Sequence, residues 1–416
     1  MLVNRLLPLR SVVASLLAAF AALGGMSIVI TARLYANLPP LSVITHAPTQ
    51  MIARGKPLIV KWPPQGQAAG TIPSITPTVI AASANEHPVP IASLAKLMTA
   101  HLVLARFPLR LGSVGPYITI TTNDVSQYYR DVAQDQSSVQ VIAGERLSEY
   151  QLLQALLTRS ANNIAQLLAT WVAGSQTSFV AEMNHEAAKL GLQGTHFSDA
   201  SGFDPSTRAT ARAVTVIAAI DMRNRIFDRI VDEHTVTLPV AGTLPNIVAR
   251  IGTGNVVGIK SGYTIWSGGC AAIAIQLPTR FGTRQAIGVV LGQQGPNSLH
   301  RAASLAEGLA TQLSSGVTDM TAVRQDQVVG SLRIPWLPKD HHLKLIAAKT
   351  LDLAAWPGQK VTYHLHLNVK NVVAGISLHT VVGYLSVVSP SRSQLVPIIT
   401  SQKVPVPGAW WRLVHG

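Results

Sequence analysis

The sequence predicts an α+β chain: a body of mixed helices and strands, a membrane-spanning segment before it and a small all-β domain after it. Three observations carry that reading. An uncharged apolar run fills Ser11 to Ala32. Between about 75 and 318, stretches of helical period alternate with short β-like runs rich in Val, Ile and Ala. After about Thr318 the helical period stops, and residues 325–416 show alternating strands (VVGSLRI, KVTYHLHLNV, VVGYLSVV, QLVPIIT) separated by Pro, Gly and Ser. The boundaries read this way are 1–36 for the span, 37–74 for a linker, 75–318 for the body and 325–416 for the β-domain.

The chain has 416 residues, enough for two or three domains. It is 48% hydrophobic and 12% charged, which supports sizeable cores and argues against a mainly disordered chain. The net charge of +14 suits contact with a polyanion, such as an anionic membrane, an acidic wall polymer or nucleic acid. Lys and Arg are scattered, with no run of five and no basic patch interleaved with aromatics, so nucleic acid is not expected. The single cysteine, Cys270, excludes an internal disulfide and a multi-Cys zinc site and reads as a small buried apolar residue. His364 and His366 share one strand face and read as solvated; no metal site is expected.

The Ser11–Ala32 run would form a helix of roughly 33 Å, about one hydrocarbon thickness. Arg5 and Arg10 precede it, and no small-x-small cleavage site stands before Pro39. It reads as an uncleaved signal anchor with its N-terminus in the cytoplasm and the rest of the chain on the extracytoplasmic face. Leu38 to Pro77 is rich in Pro, Gly, Gln and Thr and reads as a linker. Thr78 to Asn85 suits a short strand.

The body is organised around Pro88-Val-Pro-Ile-Ala-Ser93-Leu-Ala-Lys96-Leu-Met-Thr-Ala100. The two prolines favour an extended entry. From Ser93 the apolar residues Leu94, Leu97, Met98, Leu102 and Val103 follow helical spacing. Ser93 therefore stands at a helix N-terminus, where unpaired N–H groups stabilise a developing alkoxide. Lys96 lies one turn on, among Ala and Leu, so its charged form is disfavoured and it can act as a base. The same spacing is also compatible with a capping serine and a solvated lysine.

Further along, Ser148 and Gln151 fit a capping box. Ser160-Ala161-Asn162 falls at a break between two helical stretches. Thr210–Ile220 and His300–Leu313 read as helices, and Thr235–Leu238, Ala271–Gln276 and Gln285–Gly292 as strands. Val256 to Lys260 is β-like and leads into Ser261-Gly262-Tyr263. A phosphate-binding loop is excluded there, because isoleucine stands directly before Lys260.

Ser93-x-x-Lys96, Ser160-x-Asn162 and Lys260-Ser261-Gly262 occur in the order of the motifs of serine penicillin-recognising enzymes. The chain resembles the low-molecular-mass penicillin-binding proteins, the serine D-alanyl-D-alanine carboxypeptidases, over roughly residues 75–315. Leu156–Ala165, Gly194–Phe197, Ser201-Gly202 and Gly258–Thr264 with Gly269-Cys270 extend the likeness beyond the triplets. Ser261 stands where Thr is commoner, and Ala161 where the family usually has Gly. The resemblance implies a β-lactamase/transpeptidase-like body, an antiparallel sheet with a helical subdomain, acting without metal or cofactor.

The resemblance also implies the roles. Ser93 would attack the penultimate carbonyl of a peptidoglycan stem peptide ending in D-Ala-D-Ala, with Lys96 as base. Ser160 would relay a proton, and Asn162 would position Lys96 and the substrate. Lys260 and Ser261 would hold the terminal carboxylate, aided by Arg301. The N–H groups of Ser93 and Tyr263, beside Gly262, would hold the oxyanion. β-Lactams would acylate Ser93 as inhibitors. Two alternatives stay open: a β-lactamase or endopeptidase of the same superfamily, and a non-catalytic, membrane-tethered protein whose basic surface grips an anionic wall polymer.

Overall fold

A computed structural model describes residues 7–39, 41–76, 78–279, 282–338, 342–368 and 375–415. Its first element is the Leu7–Leu34 helix, whose Ser11–Leu34 part is long and apolar enough to cross a membrane and is not buried by the rest of the molecule.

The body is built on a five-stranded antiparallel sheet in the order Val256–Thr264, Gly268–Thr279, Gly282–Gln293, Gln67–Thr71, Ala81–Ala82. Alternation along the strands sorts the side chains to two faces. Ala271, Ile273, Ile275, Ala286 and Val290 pack against the long Ser298–Ser315 helix. Ala272, Ala274, Ile287, Val289 and Leu291 face a larger core shared with the other helices of the body. The long helix sits close to the sheet because Gly288 lets it: a Cβ there would collide with the Ala306 carbonyl.

On the opposite face, helices Lys96–Arg106, Glu149–Thr158, Asn162–Ala173 and Ala211–Asp221 bury Leu97, Met98, Leu152, Leu156, Ile164, Leu168, Val214 and Ile217 in one cluster. The box expected at Ser148 and Gln151 is formed, with both reciprocal bonds present; such a cap contributes about 1 kcal/mol. Val125 and the polar residues after it form a helix, Thr122–Ala133, with a second box from Thr121 and Asp124. The strand expected at Thr78–Asn85 is only Ala81–Ala82.

Residues 37–74 are not a linker. Ser42–Thr45 and Gln50–Ile52 form the two edges of a seven-stranded antiparallel sheet otherwise made by residues 328–400. Gln67–Thr71 is an interior strand of the five-stranded sheet of the body, buried along its whole length. The reason is steric: a strand squeezed between a sheet neighbour and helices on both faces takes the small residues of Gln-Ala-Ala-Gly-Thr. That composition, without bulky β-branched residues, reads as loop. The C-terminal sheet order is Ser42–Thr45, Val328–Arg333, His342–Ala347, Ser393–Thr400, Val381–Val388, Lys360–Leu367, Gln50–Ile52, around a core of its own. His364 and His366 are exposed on it. At the chain end a short helix, Ala409–His415, meets the end of the long N-terminal helix. Arg412 donates to the Leu34 carbonyl at 2.9 Å, and Arg33 to that of Leu413 at 2.7 Å.

Candidate active site

Ser93 sits on a single 3-10 turn, Ala92–Ala95, that feeds the Lys96–Arg106 helix. Its neighbour Ala92 is held at φ +48°, in the left-handed region costly for a residue with a Cβ. Two glycines clamp this turn. A Cβ at Gly202 (φ +80°) would run into the Ala92 carbonyl; one at Gly262 would lie 2.6 Å from the Ser93 nitrogen. The loop after Ser201 and the strand carrying Lys260 therefore press on the turn through their backbones.

Lys96 is fully buried, and its Nζ has three neighbours: Ser93 Oγ at 3.1 Å, Asn162 Oδ1 at 2.6 Å and the Ser201 carbonyl at 2.8 Å. The Asn162 orientation fits a chain of amides, since its Nδ2 donates to Gln136 Oε1 at 2.5 Å and Gln136 Nε2 to Gln134 Oε1. Two of the three neighbours are pure acceptors. A neutral amine spends its two N–H bonds on them and directs its lone pair at the Ser93 hydroxyl. Burial pulls the Lys96 pKa from the usual lysine range down to about 7, against the opposing charges of Asp199 and Asp131. The amine and the Ser93 hydroxyl are thus in contact, with the amine about half neutral near physiological pH.

Asp199 builds the loop that delivers the Ser201 carbonyl. Its carboxylate accepts from the Ser201 N–H (3.2 Å) and hydroxyl (2.5 Å), the Phe203 N–H (3.0 Å) and the Thr207 hydroxyl (2.6 Å). One turn past Lys96, Thr99 Oγ1 donates to the Ala200 carbonyl at 2.6 Å and fixes the same loop to the helix. Phe203 meets Trp266 edge to face, 6.3 Å between ring centres, joining this loop to the turn after the Lys260 strand.

The expected break at Ser160-Ala161-Asn162 is present. The Glu149–Thr158 helix ends at Arg159, Ser160 is buried at φ +59°, and the next helix begins at Asn162. Lys260, Ser261, Gly262 and Tyr263 lie on the Val256–Thr264 strand, longer than the β-run read from the sequence. Lys260 is fully buried and donates to the Ser261 carbonyl at 2.8 Å. Burial holds its pKa well below the usual range, and the charge of Lys96 pushes the same way. Ser261 Oγ accepts from the Ala249 N–H at 3.0 Å, so its own proton is free to be donated outward. Tyr263 is exposed.

The Arg301 guanidinium donates to the Gln294 and Pro296 carbonyls at 2.7 and 2.8 Å, bracing the loop before its own helix. Cys270 is fully buried with its thiol pushed up to about 11 by burial, in keeping with a packing role. Sequence reasoning missed Asp131 and Gln136, and saw Ser201 only as part of a motif; its contribution is a backbone carbonyl, which leaves no signature in side-chain pattern.

A serine in contact with a buried, neutralised lysine, both set between a helical subdomain and the edge of an antiparallel sheet, defines a serine acyl-transfer enzyme of the penicillin-recognising class. The chain belongs to the D-alanyl-D-alanine carboxypeptidase family, whose model matches residues 65–295, more than half of it. It is 28% identical over 329 residues to the D-alanyl-D-alanine carboxypeptidase DacD of Escherichia coli, covering 75% of this chain and 80% of that one. Among solved structures it is similar to penicillin-binding protein 5 of Haemophilus influenzae (TM-score 0.56, 20% identity, 82% of this chain and 99% of that one). It is also similar to the DD-transpeptidase of Streptomyces K15 (TM-score 0.52, 25% identity, 61% and 100%). The protein is a serine-type D-Ala-D-Ala carboxypeptidase, a hydrolase of the low-molecular-mass penicillin-binding kind.

Proposed function

We propose that Ser93 is the nucleophile and neutral Lys96 its base in removing the terminal D-alanine from peptidoglycan stem peptides. The observation that carries this reading is the 3.1 Å contact of Lys96 Nζ with Ser93 Oγ, with the other two neighbours of the amine being acceptors. Ser93 Oγ attacks the penultimate carbonyl as its proton passes to Lys96. The tetrahedral oxyanion sits between the N–H groups of Ser93 and Tyr263, each worth about 3 kcal/mol. The C–N bond then breaks. Ser160 passes the proton from Lys96 to the departing amine, and D-alanine leaves. Water, deprotonated by the same lysine, hydrolyses the ester and frees Ser93.

Lys260 and the outward hydroxyl of Ser261 receive the terminal carboxylate. The empty site penalises a buried ammonium; an arriving carboxylate favours it, so the cation gains most when substrate is bound. Arg301 we assign to bracing its loop, where two of its five N–H groups meet carbonyls. β-Lactams enter as mimics of the D-Ala-D-Ala end and acylate Ser93. The apolar Leu7–Leu34 helix serves as the membrane anchor, with Arg10 and the other N-terminal residues inside and the enzyme outside. The charge of +14 supports an added contact with an anionic wall polymer.

The test is D-alanine release from a pentapeptide ending in D-Ala-D-Ala by the full chain in detergent. One D-alanine per peptide is expected, and none from Ser93→Ala with an unchanged unfolding midpoint. Undiminished release by that variant, or cleavage confined to cross-linked dimers, would contradict the reading.

A further inference from the structure

Two cavities adjoin along the Asn162–Ala173 helix, one of about 430 Å³ and one of about 530 Å³. Gln166 and Gln176 line both, so the two form one trough. Gln176 Nε2 fixes the place where they join, donating to the Gln166 carbonyl at 2.5 Å and to Thr170 Oγ1 at 3.0 Å. The near cavity borders the Ser93–Lys96 pair: its lining includes Gln136, which holds Asn162, and Ser201, whose carbonyl holds Lys96. The far cavity reaches Asn123, Thr170 and Trp171.

The helix sets the line of the trough. Asn162, Gln166 and Thr170 follow one another at i, i+4 and i+8, on successive turns of one face. Asn162 Oδ1 meets Lys96 Nζ at 2.6 Å, so the line starts at the lysine. From Asn162 to Trp171 the helix rises roughly 14 Å. About four residues of extended peptide span the same distance. A stem pentapeptide cut at its last bond has four residues before the cut. With its terminal carboxylate at Lys260, those four run back along the trough, and the first of them comes to Trp171. In peptidoglycan that first residue is bonded to an N-acetylated amino sugar.

The lining of the far cavity fits such a group. Gln166 is half-buried, and its side-chain amide has no hydrogen-bond partner among the described residues; the same is true of the Asn123 amide and the Trp171 indole N–H. Phe107 stacks on Trp171, 4.1 Å between ring centres, which fixes the indole without using its N–H. Free amides pair with hydroxyl and N-acetyl groups as donors or acceptors, and a half-buried aromatic ring offers apolar area to a sugar. The charges there are opposite and engaged. Asp124 Oδ2 accepts from the Thr121 N–H and hydroxyl at 2.8 and 2.6 Å, and Arg130 donates through Nε and Nη2 to Gln127 Oε1 at 3.2 and 2.6 Å. A neutral ligand suits this lining better than an ion. We propose that the far cavity, at Asn123, Thr170 and Trp171, is a subsite for the amino sugar that carries the stem peptide, so that the enzyme favours glycan-attached peptides over free ones. The proposal rests on the reading of Ser93 and Lys260 given above.

The test compares two ligands, a free pentapeptide ending in D-Ala-D-Ala and the same peptide on N-acetylmuramic acid. Their Kd values are measured by calorimetry on the full chain in detergent carrying Ser93→Ala, so that affinity does not depend on turnover. The muramyl peptide should bind at least about 5-fold more tightly, as expected for one or two added hydrogen bonds and an aromatic contact. Adding Trp171→Ala should bring the ratio below about 2-fold. Thr170→Lys, which puts a long side chain into the cavity from an exposed position, should do the same and serves if the tryptophan variant unfolds. Equal affinities for the two ligands, or a preference that survives in the folded variants, would overturn the proposal. So would tighter binding of a sugar-free cross-linked peptide dimer that depends on Trp171, since the cavity would then take a second peptide. D-Alanine release by wild type with equal affinities would uphold the reading of Ser93 and overturn the sugar subsite; a Trp171-dependent sugar preference without release would do the reverse.

Discussion

The two walls around Ser93 each hold a fully buried lysine, and they treat it differently. On the helical wall, Lys96 has three polar neighbours and two carboxylates, Asp199 and Asp131, within electrostatic reach, and its pKa rests at about 7. On the strand wall, Lys260 has one carbonyl partner, and its pKa is driven down by burial and by Lys96 itself. In the proposed mechanism the first wall is complete without substrate and accepts a proton, and the second is completed by the substrate's negative charge. Two identical side chains thus have different surroundings, set by the number of acceptors and carboxylates around them, with burial common to both.

The largest expected effect breaks the helical wall. Lys96→Met keeps the volume and removes the base. D-Alanine release should fall by about 10²–10⁴-fold, with substrate affinity, set by the strand wall, changed far less. A steady-state comparison of kcat and KM checks this, and a loss carried mainly by KM would put Lys96 on the wrong wall. Next comes Gly262→Ala on the strand side. The new Cβ would stand 2.6 Å from the Ser93 nitrogen and 2.9 Å from its Cβ. Shifting the nucleophile by a fraction of an ångström to one ångström should cost about 10²-fold in acylation rate, read by penicillin labelling kinetics.

The smallest effect sharpens the comparison. The acylation rate should rise with pH through about 7, because only neutral Lys96 accepts the proton. Asp199 opposes the effect of burial by favouring the protonated form. Asp199→Asn removes that charge, so the pKa falls and the rising limb should move to lower pH. A limb that stays in place, or moves to higher pH, would show that Asp199 acts only by holding its loop.

Legibility in the sequence followed the range of the interaction. Ser93 and Lys96 are three residues apart, and the helical spacing of Leu94, Leu97 and Met98 places them on one turn. Asn162 and Lys260 were found by their motifs, while their meeting with Lys96 depends on the packing of separate elements. The Ser201 carbonyl and the Asp199 loop were hidden, because a backbone acceptor is supplied by any residue. Gln67–Thr71 was hidden because the strand is small-residued where the helices crowd it. Ser42–Thr45 and Gln50–Ile52 were hidden because their partners lie some 290 to 310 residues away, at Arg333 and Lys360 among others. Local pattern does not report such pairing.

The measurement that tests the central claim most directly is intact-mass spectrometry of the full chain with a penicillin across pH 5 to 9, roughly two units either side of the Lys96 pKa, followed by peptide mapping. The account predicts one adduct per chain, on Ser93, formed faster as pH rises through about 7. Folded protein that takes no adduct, or carries it on another residue, would contradict it, as would a Ser93 acylation rate that is flat with pH.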